Sequence, residues 1–188
     1  QGCIFWFTQV FDEGTTDNQT PTEENVTIKI SHVEAENDTL ERSCQAFADF
    51  CAEQSGGTIT VETYPNAELG DDDAATQGVA LGTIEMALPG TSQLVAYNKD
   101  FGIADLPYIF KDEDTCFAAF DGELGDALNA KLEGTGVKNL GYYYIGKRNV
   151  SNNVHPINEP ADMEGLDIRV MQNPVYISLF ETLGANPT

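Results

Sequence analysis

Basic residues are scarce in this 188-residue sequence. Nine lysines and arginines stand against 31 aspartates and glutamates, which gives a formal net charge of −22 at pH 7. A surface of that sign repels the phosphates of nucleic acids and the headgroups of anionic lipids. The composition therefore argues against nucleic acid as a partner. Any anion-binding function must rely on a few locally concentrated cations. The arginines among these cations are Arg42, Arg148 and Arg169.

The groups on which most enzymes rely are also scarce. The sequence has two histidines, His32 and His155, and neither stands in a G-x-S-x-G pattern. No G-x-G-x-x-G or G-x-x-x-x-G-K-S/T run is present, so nucleotide binding would lack its usual phosphate cradle. The sequence therefore indicates a protein that is not an enzyme and that needs no cofactor.

The four cysteines do not form a metal-binding pattern, because no C-x-x-C pair occurs and no histidine stands near them. Cys44 and Cys51 are seven residues apart on a predicted helix, which puts their Cα atoms about 10 Å apart, too far for a disulfide. A bridge from either one to Cys116 remains open. The acidic run 71–73 lacks the alternating oxygen ligands of a calcium loop and indicates the start of a helix. We therefore expect no metal site.

Long hydrophobic runs are absent, and no segment reaches the 18 apolar residues that a membrane-spanning helix needs. The sequence begins Gln1-Gly2-Cys3 and continues with an apolar stretch. Gly2-Cys3 is similar to the remnant of a bacterial lipoprotein cleavage site, which would put a lipid anchor on Cys3. The alternative is the end of an uncleaved signal or anchor segment. Residues 12–25 lack apolar periodicity and are expected to form a flexible tether.

Strand and helix periodicities alternate along the rest of the chain. Asp38 and Glu41 resemble a capping box at the start of the first predicted helix. The predicted strands are 26–31, 58–64, 85–88, 137–144 and 166–171. The predicted helices are 40–51, 72–81, 112–133 and 174–183. This β-α-β-α-β order predicts an α/β fold with helices packed on mostly parallel sheets.

Two arginines stand beside predicted strands. Arg148 follows the strand that contains Tyr144, and Arg169 lies within the strand predicted at 166–171. An arginine in a buried sheet needs an anionic partner, because an unpaired buried guanidinium is costly. The partner is either a carboxylate of this chain or the carboxylate of a ligand, held by two parallel hydrogen bonds. The spacing alone favours neither.

From residue 26 to residue 188 the sequence resembles the solute-binding proteins of TRAP transporters, the tripartite ATP-independent periplasmic class, in their dicarboxylate-binding branch. Four stretches carry the resemblance: YPNAELG at 64–70, QGVALGTIEM at 77–86, DLPYIF at 105–110 and GLDIRVMQNPVYISLFETLGANPT at 165–188. The last is the most specific. Members of this family continue well beyond the final motif, so the chain resembles a C-terminally incomplete copy.

The resemblance implies a two-lobed clamshell that closes around a ligand. In it Arg169 forms the salt bridge to a ligand carboxylate and Arg148 supports that salt bridge. Met171 replaces the proline that is common at this position of the family. The implied pocket walls are His32, Asp72, Thr91, Tyr144, Gln172 and Asn173.

The resemblance further implies an organisation and a function. We expect a tether at 1–25, a first lobe at 26–147 and the beginning of an incomplete second lobe at 148–188. We expect the protein to lie in the periplasm or otherwise outside the cytoplasm. There it is expected to capture a small organic carboxylate and deliver it to the membrane permease of a TRAP transporter. Membrane contact is expected only through the N-terminal anchor. The alternative function is a sensing module that passes the ligand signal to a receptor. A third and weaker alternative is an enzyme with the same two-lobed architecture.

Overall fold

The computed structural model describes residues 2–8, 25–171 and 173–188, and for residues 2–8 it describes the backbone only. The predicted tether at 12–25, apart from Asn25, lies outside the described residues, and so does Gln172. Cys3 belongs to a strand at residues 2–8. Its lipidation stays a prediction, because the side chain of Cys3 is outside the described part of the chain. Among the described residues, no helix has both the length and the apolar character that crossing a membrane requires.

A three-stranded parallel sheet forms the centre of the first part of the chain. Its strands are β2 (Val26–Ser31), β3 (Ile59–Tyr64) and β4 (Met86–Ala87), with β2 in the middle. The register pairs Ile28 with Val61 and Ile30 with Met86. Ile28 and Ile30 of β2 face the core together, because alternate residues of a strand point to one side. The predicted α/β class with mostly parallel sheets is confirmed.

Helices connect these strands as the periodicity predicts. Helix α1 (Thr39–Gln54) follows β2, and helix α2 (Asp72–Ala80) follows β3. Asp38 caps α1 by accepting a hydrogen bond from the Leu40 amide. The predicted capping box is wrong, because the Glu41 side chain is buried against His32 instead of reaching back to the N-cap.

A helical segment occupies the stretch after β4, where the sequence shows no periodicity. It consists of the short helix α3 (Thr91–Leu94) and a 3₁₀ helix (Lys99–Asp105). Their inward-facing Leu94 and Phe101 are fully buried. The 3₁₀ helix ends at Asp105, and this placement brings a carboxylate to the site described below.

The prediction of a single helix at 112–133 is wrong, because the structure has two helices there, α4 (Glu113–Phe120) and α5 (Glu123–Ala130). The break lies at Gly122, where an added Cβ would come 2.8 Å from the Ala118 carbonyl oxygen. The apolar period continues across the break, so the sequence pattern reads as one helix. Phe120 and Leu128 still pack into the same core, beside Leu132 and Val137.

The remaining strands lie outside the central sheet. Strand β5 (Asn139–Lys147) pairs antiparallel with β1 (Gly2–Thr8). A short 3₁₀ helix (Pro160–Met163) leads to β6 (Asp167–Ile168), which is parallel to β7 (Asn186–Pro187). Helix α6 (Pro174–Thr182) connects β6 and β7 and begins at its N-cap Asn173.

Three buried apolar clusters stabilise these layers. One lies between α2, the segment 94–104 and helices α4 and α5, and a second lies between the central sheet and α1. The third is built from residues 157–185 alone, around Met163, Ile168 and Phe180. The predicted boundary at residue 147 lies before this third cluster, and the division into lobes stays a prediction.

Candidate functional site

A cleft of about 1230 Å³ opens where the 3₁₀ helix over Lys99–Asp105, the end of β5 and the end of β6 meet α6. Its walls come from residues 104–108, residues 145–151 and the stretch around β6. Apolar residues, among them Ile168 and Phe180, line part of it, and charged and neutral polar residues line other parts. The volume is sufficient for a small organic ligand.

Arg148 and Arg169 line this same cleft, although 20 residues of sequence separate them. Arg148 comes directly after β5, and Arg169 comes directly after β6. Strand ends place both guanidinium groups at the cleft. The predicted burial of Arg169 within a sheet is wrong, because β6 stops at Ile168 and the Arg169 side chain is exposed.

The alternative that Arg169 pairs with a carboxylate of this chain finds no support in the part of the chain that the structure describes. The ion pairs found there are His32–Glu41 and Lys131–Asp100, and Arg169 is in neither. An exposed guanidinium at a cleft offers five N–H donors in a planar fork, which match a carboxylate in two parallel hydrogen bonds. Arg169 can therefore act as an anion-binding group.

Asp105 accepts three hydrogen bonds at the cleft, and the residue is almost fully buried, at 7% exposure. Its Oδ2 accepts a hydrogen bond from Asn173 Nδ2 at 2.7 Å. Its Oδ1 accepts from the Tyr176 hydroxyl at 2.8 Å and from the Thr91 hydroxyl at 3.4 Å. Burial raises the pKa of Asp105, while the Tyr176 hydrogen bond and the charge of Arg148 partly offset that rise.

Two of the predicted wall residues, Thr91 and Asn173, thus come together on Asp105, which the sequence analysis did not place in the site. Asn173 is 1% exposed, and its Oδ1 also caps α6 by accepting from the Val175 amide. Asp105 opens the motif at 105–110, so the family resemblance held a signal for it. No periodicity or spacing rule could connect it with Asn173 across 68 residues.

Asp72 lies at the start of α2, close to the loop that leads into α3. Its Oδ2 accepts from the Gly90 amide at 3.5 Å. Burial, together with the neighbouring charges of Asp73, Glu34 and Asp71, raises the pKa of Asp72 to about 6 against the lowering effect of the Gly90 amide. Asp72 is half-buried and does not line the cleft.

His32 lies apart from the cleft, in a buried polar cluster under α1. Its Nε2 is 2.7 Å from Glu41 Oε2, and the His32 side chain is fully buried. Glu41 Oε1 accepts from Gln45 Nε2 at 2.6 Å and from the Thr63 hydroxyl at 2.8 Å. Burial opposes ionisation of Glu41, but the hydrogen bonds from Gln45, His32 and Thr63 outweigh it and lower the Glu41 pKa.

One group of side chains could hold a metal ion among the residues that were described, and it consists of His32, Glu41 and Cys44. Their candidate ligand atoms lie within 4.8 Å of one another. Burial, together with the charge of Glu41, raises the pKa of Cys44 to about 12. The Glu41 carboxylate of this cluster is hydrogen-bonded to His32, Gln45 and Thr63. Cys44, Cys51 and Cys116 are free thiols.

Tyr144 also lies away from the cleft lining, half-buried on β5. Its ring meets Phe117 edge to face, with centroids 5.8 Å apart. Burial and the nearby Glu113 carboxylate raise the pKa of Tyr144.

The structure thus brings Arg148 and Arg169 to the cleft, with Thr91 and Asn173 hydrogen-bonded to Asp105 in its wall. It keeps His32, Asp72 and Tyr144 outside, and the contacts of Gln172 are outside the described residues.

Residues 30–188 match the family model of DctP, the bacterial extracellular solute-binding protein family 7. Among curated proteins, the 2,3-diketo-L-gulonate-binding periplasmic protein of Escherichia coli is 32% identical over 160 residues, covering 85% of this chain and 49% of the relative. The C4-dicarboxylate-binding protein of Bacillus subtilis is 33% identical over 171 residues, covering 91% of this chain and 49% of the relative. The chain therefore spans about half the length of the curated relatives it matches.

Solved structures of similar proteins share this fold. A TRAP periplasmic solute-binding protein from Sulfurospirillum deleyianum with bound succinate superposes with a TM-score of 0.82 at 32% identity, covering 88% of this chain and 53% of that one. A sugar acid binding protein from Advenella mimigardefordensis in complex with galactonate gives a TM-score of 0.84 at 31% identity, covering 87% and 53%.

Proposed function

Since the chain belongs to the bacterial extracellular solute-binding protein family 7, we propose that it captures a small organic carboxylate outside the cytoplasm and presents it to the membrane subunits of a TRAP transporter. The observation that carries the proposal is the cleft with Arg148 and Arg169 in its walls. The relatives named for 2,3-diketo-L-gulonate, C4-dicarboxylates and galactonate support an organic acid as the ligand class.

Arg169 is the proposed primary contact. An exposed guanidinium at the rim of a cleft is ready to exchange water for a carboxylate, and the two parallel hydrogen bonds fix the orientation of the ligand. Attraction between unit charges about 4 Å apart is on the order of 4 kcal/mol at an effective dielectric near 20, before desolvation is subtracted. The long-range repulsion from a chain of net charge −22 opposes this local attraction only weakly, because exposed charges beyond about 10 Å are screened at moderate salt.

The proposed role does not require bond-breaking chemistry. Among the described residues that line the cleft beside the arginines, there is no histidine and no cysteine. Binding energy is therefore proposed to shift a conformational balance toward the ligand-bound form, which the membrane subunits then recognise.

A thermal-shift comparison of organic acids with their neutral counterparts tests this proposal. D-galactonate and galactitol are a matched open-chain pair, in which the C1 carboxylate of the first is a CH2OH group in the second. We expect saturating galactonate, or another small acid of the panel, to raise the unfolding temperature by about 5 °C or more, and galactitol to leave it unchanged. Equal shifts with acids and galactitol, or no shift with any acid, would contradict the proposal.

A further inference from the structure

A tyrosine in the cleft wall has a backbone conformation that bulky residues rarely adopt. Tyr108 lies in the turn at residues 107–108, and its φ angle is 58°. This left-handed region is crowded for any residue with a Cβ atom, so glycine or asparagine is its usual occupant. Holding a tyrosine there costs free energy, and such strain is concentrated at ligand-binding and other functional sites.

Both ends of the turn are anchored by the fold. On one side, Asp105 accepts hydrogen bonds from Asn173 and Tyr176. On the other side, Phe110 packs against the core, and its ring centroid lies 5.5 Å from that of Phe120. The surroundings therefore impose the backbone path between these two anchors, which explains how a strained conformation can persist there.

The Tyr108 side chain contributes little to the stability of the fold. Tyr108 is 93% exposed, whereas the nearby Phe110 is half-buried. An aromatic side chain stabilises a fold by burying its apolar surface, and a ring that remains in water buries almost none. Packing within the described part of the chain therefore does not explain why a tyrosine occupies this position.

The position of Tyr108 in the cleft offers an explanation. Tyr108 lines the same cleft as Arg148 and Arg169. The guanidinium groups can bind a carboxylate, whereas the carbon skeleton of an organic acid needs apolar or aromatic surface. A tyrosine supplies a large and rigid contact surface with few rotatable bonds, and its hydroxyl group can donate or accept a hydrogen bond.

We infer that Tyr108 is a further ligand-binding residue, and that its ring packs against the carbon skeleton of the acid whose carboxylate Arg169 binds. This inference rests on the proposed function and adds a contact in the same cleft. It applies to dicarboxylates and to sugar acids alike, because both classes carry their charge on a carbon skeleton. Ligand contact covers the exposed ring and so offsets the backbone strain at Tyr108.

Isothermal titration calorimetry and thermal unfolding of the purified chain test the inference together. The probes are succinate, D-galactonate and any other acid that raises the unfolding temperature in the thermal-shift panel. Tyr108→Gly and Tyr108→Asn both remove the ring and both accept a positive φ, so each is expected to weaken binding by about fivefold or more. Neither is expected to lower the unfolding temperature by more than about 2 °C, because an exposed ring is lost while strain is relieved.

Two control variants separate the ring from the backbone. Tyr108→Phe keeps the ring at the strained position and is expected to bind the same acid within about threefold of the wild-type affinity. Ala67→Gly relieves strain at another non-glycine residue with a φ of 58°, in a turn that does not line the cleft. Ala67→Gly is therefore expected to leave the affinity unchanged.

The outcomes distinguish this inference from the proposed function. Wild-type affinity in Tyr108→Gly or Tyr108→Asn would overturn the inference and leave the proposed function standing. A loss of affinity in Tyr108→Phe as large as that in Tyr108→Gly would do the same, since the ring would not be the binding group. A clear fall of the unfolding temperature in both variants without the ring would show that the ring serves the fold, which also overturns the inference. Binding of no acid in the panel by the wild-type chain would contradict the proposed function and this inference together.

Discussion

The His32 imidazole and the Glu41 carboxylate form a buried pair, with Nε2 and Oε2 2.7 Å apart beneath the first turns of α1. His32 follows strand β2, and Glu41 lies nine residues later on the helix that packs over it. The pair ties the carboxyl end of the central strand to α1. Gln45 and Thr63 complete the hydrogen bonds of the carboxylate.

Glu41→Gln is expected to destabilise the fold by about 2 kcal/mol, because a neutral amide cannot keep the charge-assisted hydrogen bonds of the buried carboxylate. The Glu41 pKa is lowered in the fold, so its contribution is present above the ordinary glutamate pKa and is lost as the pH falls through the folded value. Urea unfolding at neutral and acidic pH measures both effects. Glu53→Gln, on the exposed side of α1, is the control and should change the stability by less than about 0.5 kcal/mol. Equal effects of the two substitutions at neutral pH would show that the buried pair has no special contribution.

Asp72 should respond to pH in the opposite direction. Its pKa of about 6 lies above the ordinary aspartate value of 3.8, so the fold favours the protonated form. The resulting stabilisation is full below about pH 4 and is lost as the pH rises through about 6. Asp72→Asn mimics the protonated form and should exceed the wild-type stability by about 1 kcal/mol at pH 7.5, with the difference vanishing near pH 4. Thermal unfolding across this range checks it, and a constant difference at all pH values would contradict it.

The break between α4 and α5 gives a steric prediction. An added Cβ at Gly125 would collide with the Phe120 carbonyl oxygen, and this atom belongs to the backbone and cannot move aside cheaply. Gly125→Ala should therefore destabilise the fold by about 2 kcal/mol. Gly141→Ala is the matched control, since no atom lies within 4 Å of the added Cβ there. Chemical denaturation compares the two variants, and equal stabilities would show that the helix break tolerates a side chain.

The sequence predicted the elements in which one periodicity runs without interruption. Strand β2, helix α2 and helix α6 appear where their patterns predict them, because each buries one apolar face. The divided helix at 113–130 escaped prediction, since the apolar period continues across Gly122 while the backbone does not. The short helix α3 has too few residues to show a period.

The candidate site was predictable only in part, because some of its contacts join residues that lie far apart in the sequence. Arg148 and Arg169 stand out because arginine is rare in this acidic chain, and both line the cleft. Asp105 is one of 31 acidic residues, and nothing in its local sequence marks it as buried. Its three hydrogen-bond partners come from positions 14 to 71 residues away, which only the folded chain brings together.

The net charge predicts how fast a ligand arrives. A chain with a formal charge of −22 repels an approaching organic anion at long range, while the local field of the arginines acts only within the cleft. Raising the salt concentration from low to moderate should therefore increase the association rate of galactonate and change its dissociation rate less. Stopped-flow binding across a salt series measures both rates. An association rate that falls steadily with salt would mean that the ligand meets a positive entrance.

The central claim is that Arg169 holds the ligand carboxylate, and calorimetry of three arginine variants with the acid that the thermal-shift panel identifies tests it most directly. Arg169→Ala is expected to weaken binding by about 30-fold or more. Arg169→Lys should weaken it substantially as well, because an ammonium cannot reproduce two parallel hydrogen bonds. Arg42→Ala is the control, since Arg42 bonds to Asn37 and Thr39 away from the cleft, and its affinity should match the wild type. Wild-type affinity in a folded Arg169→Ala variant would contradict the account.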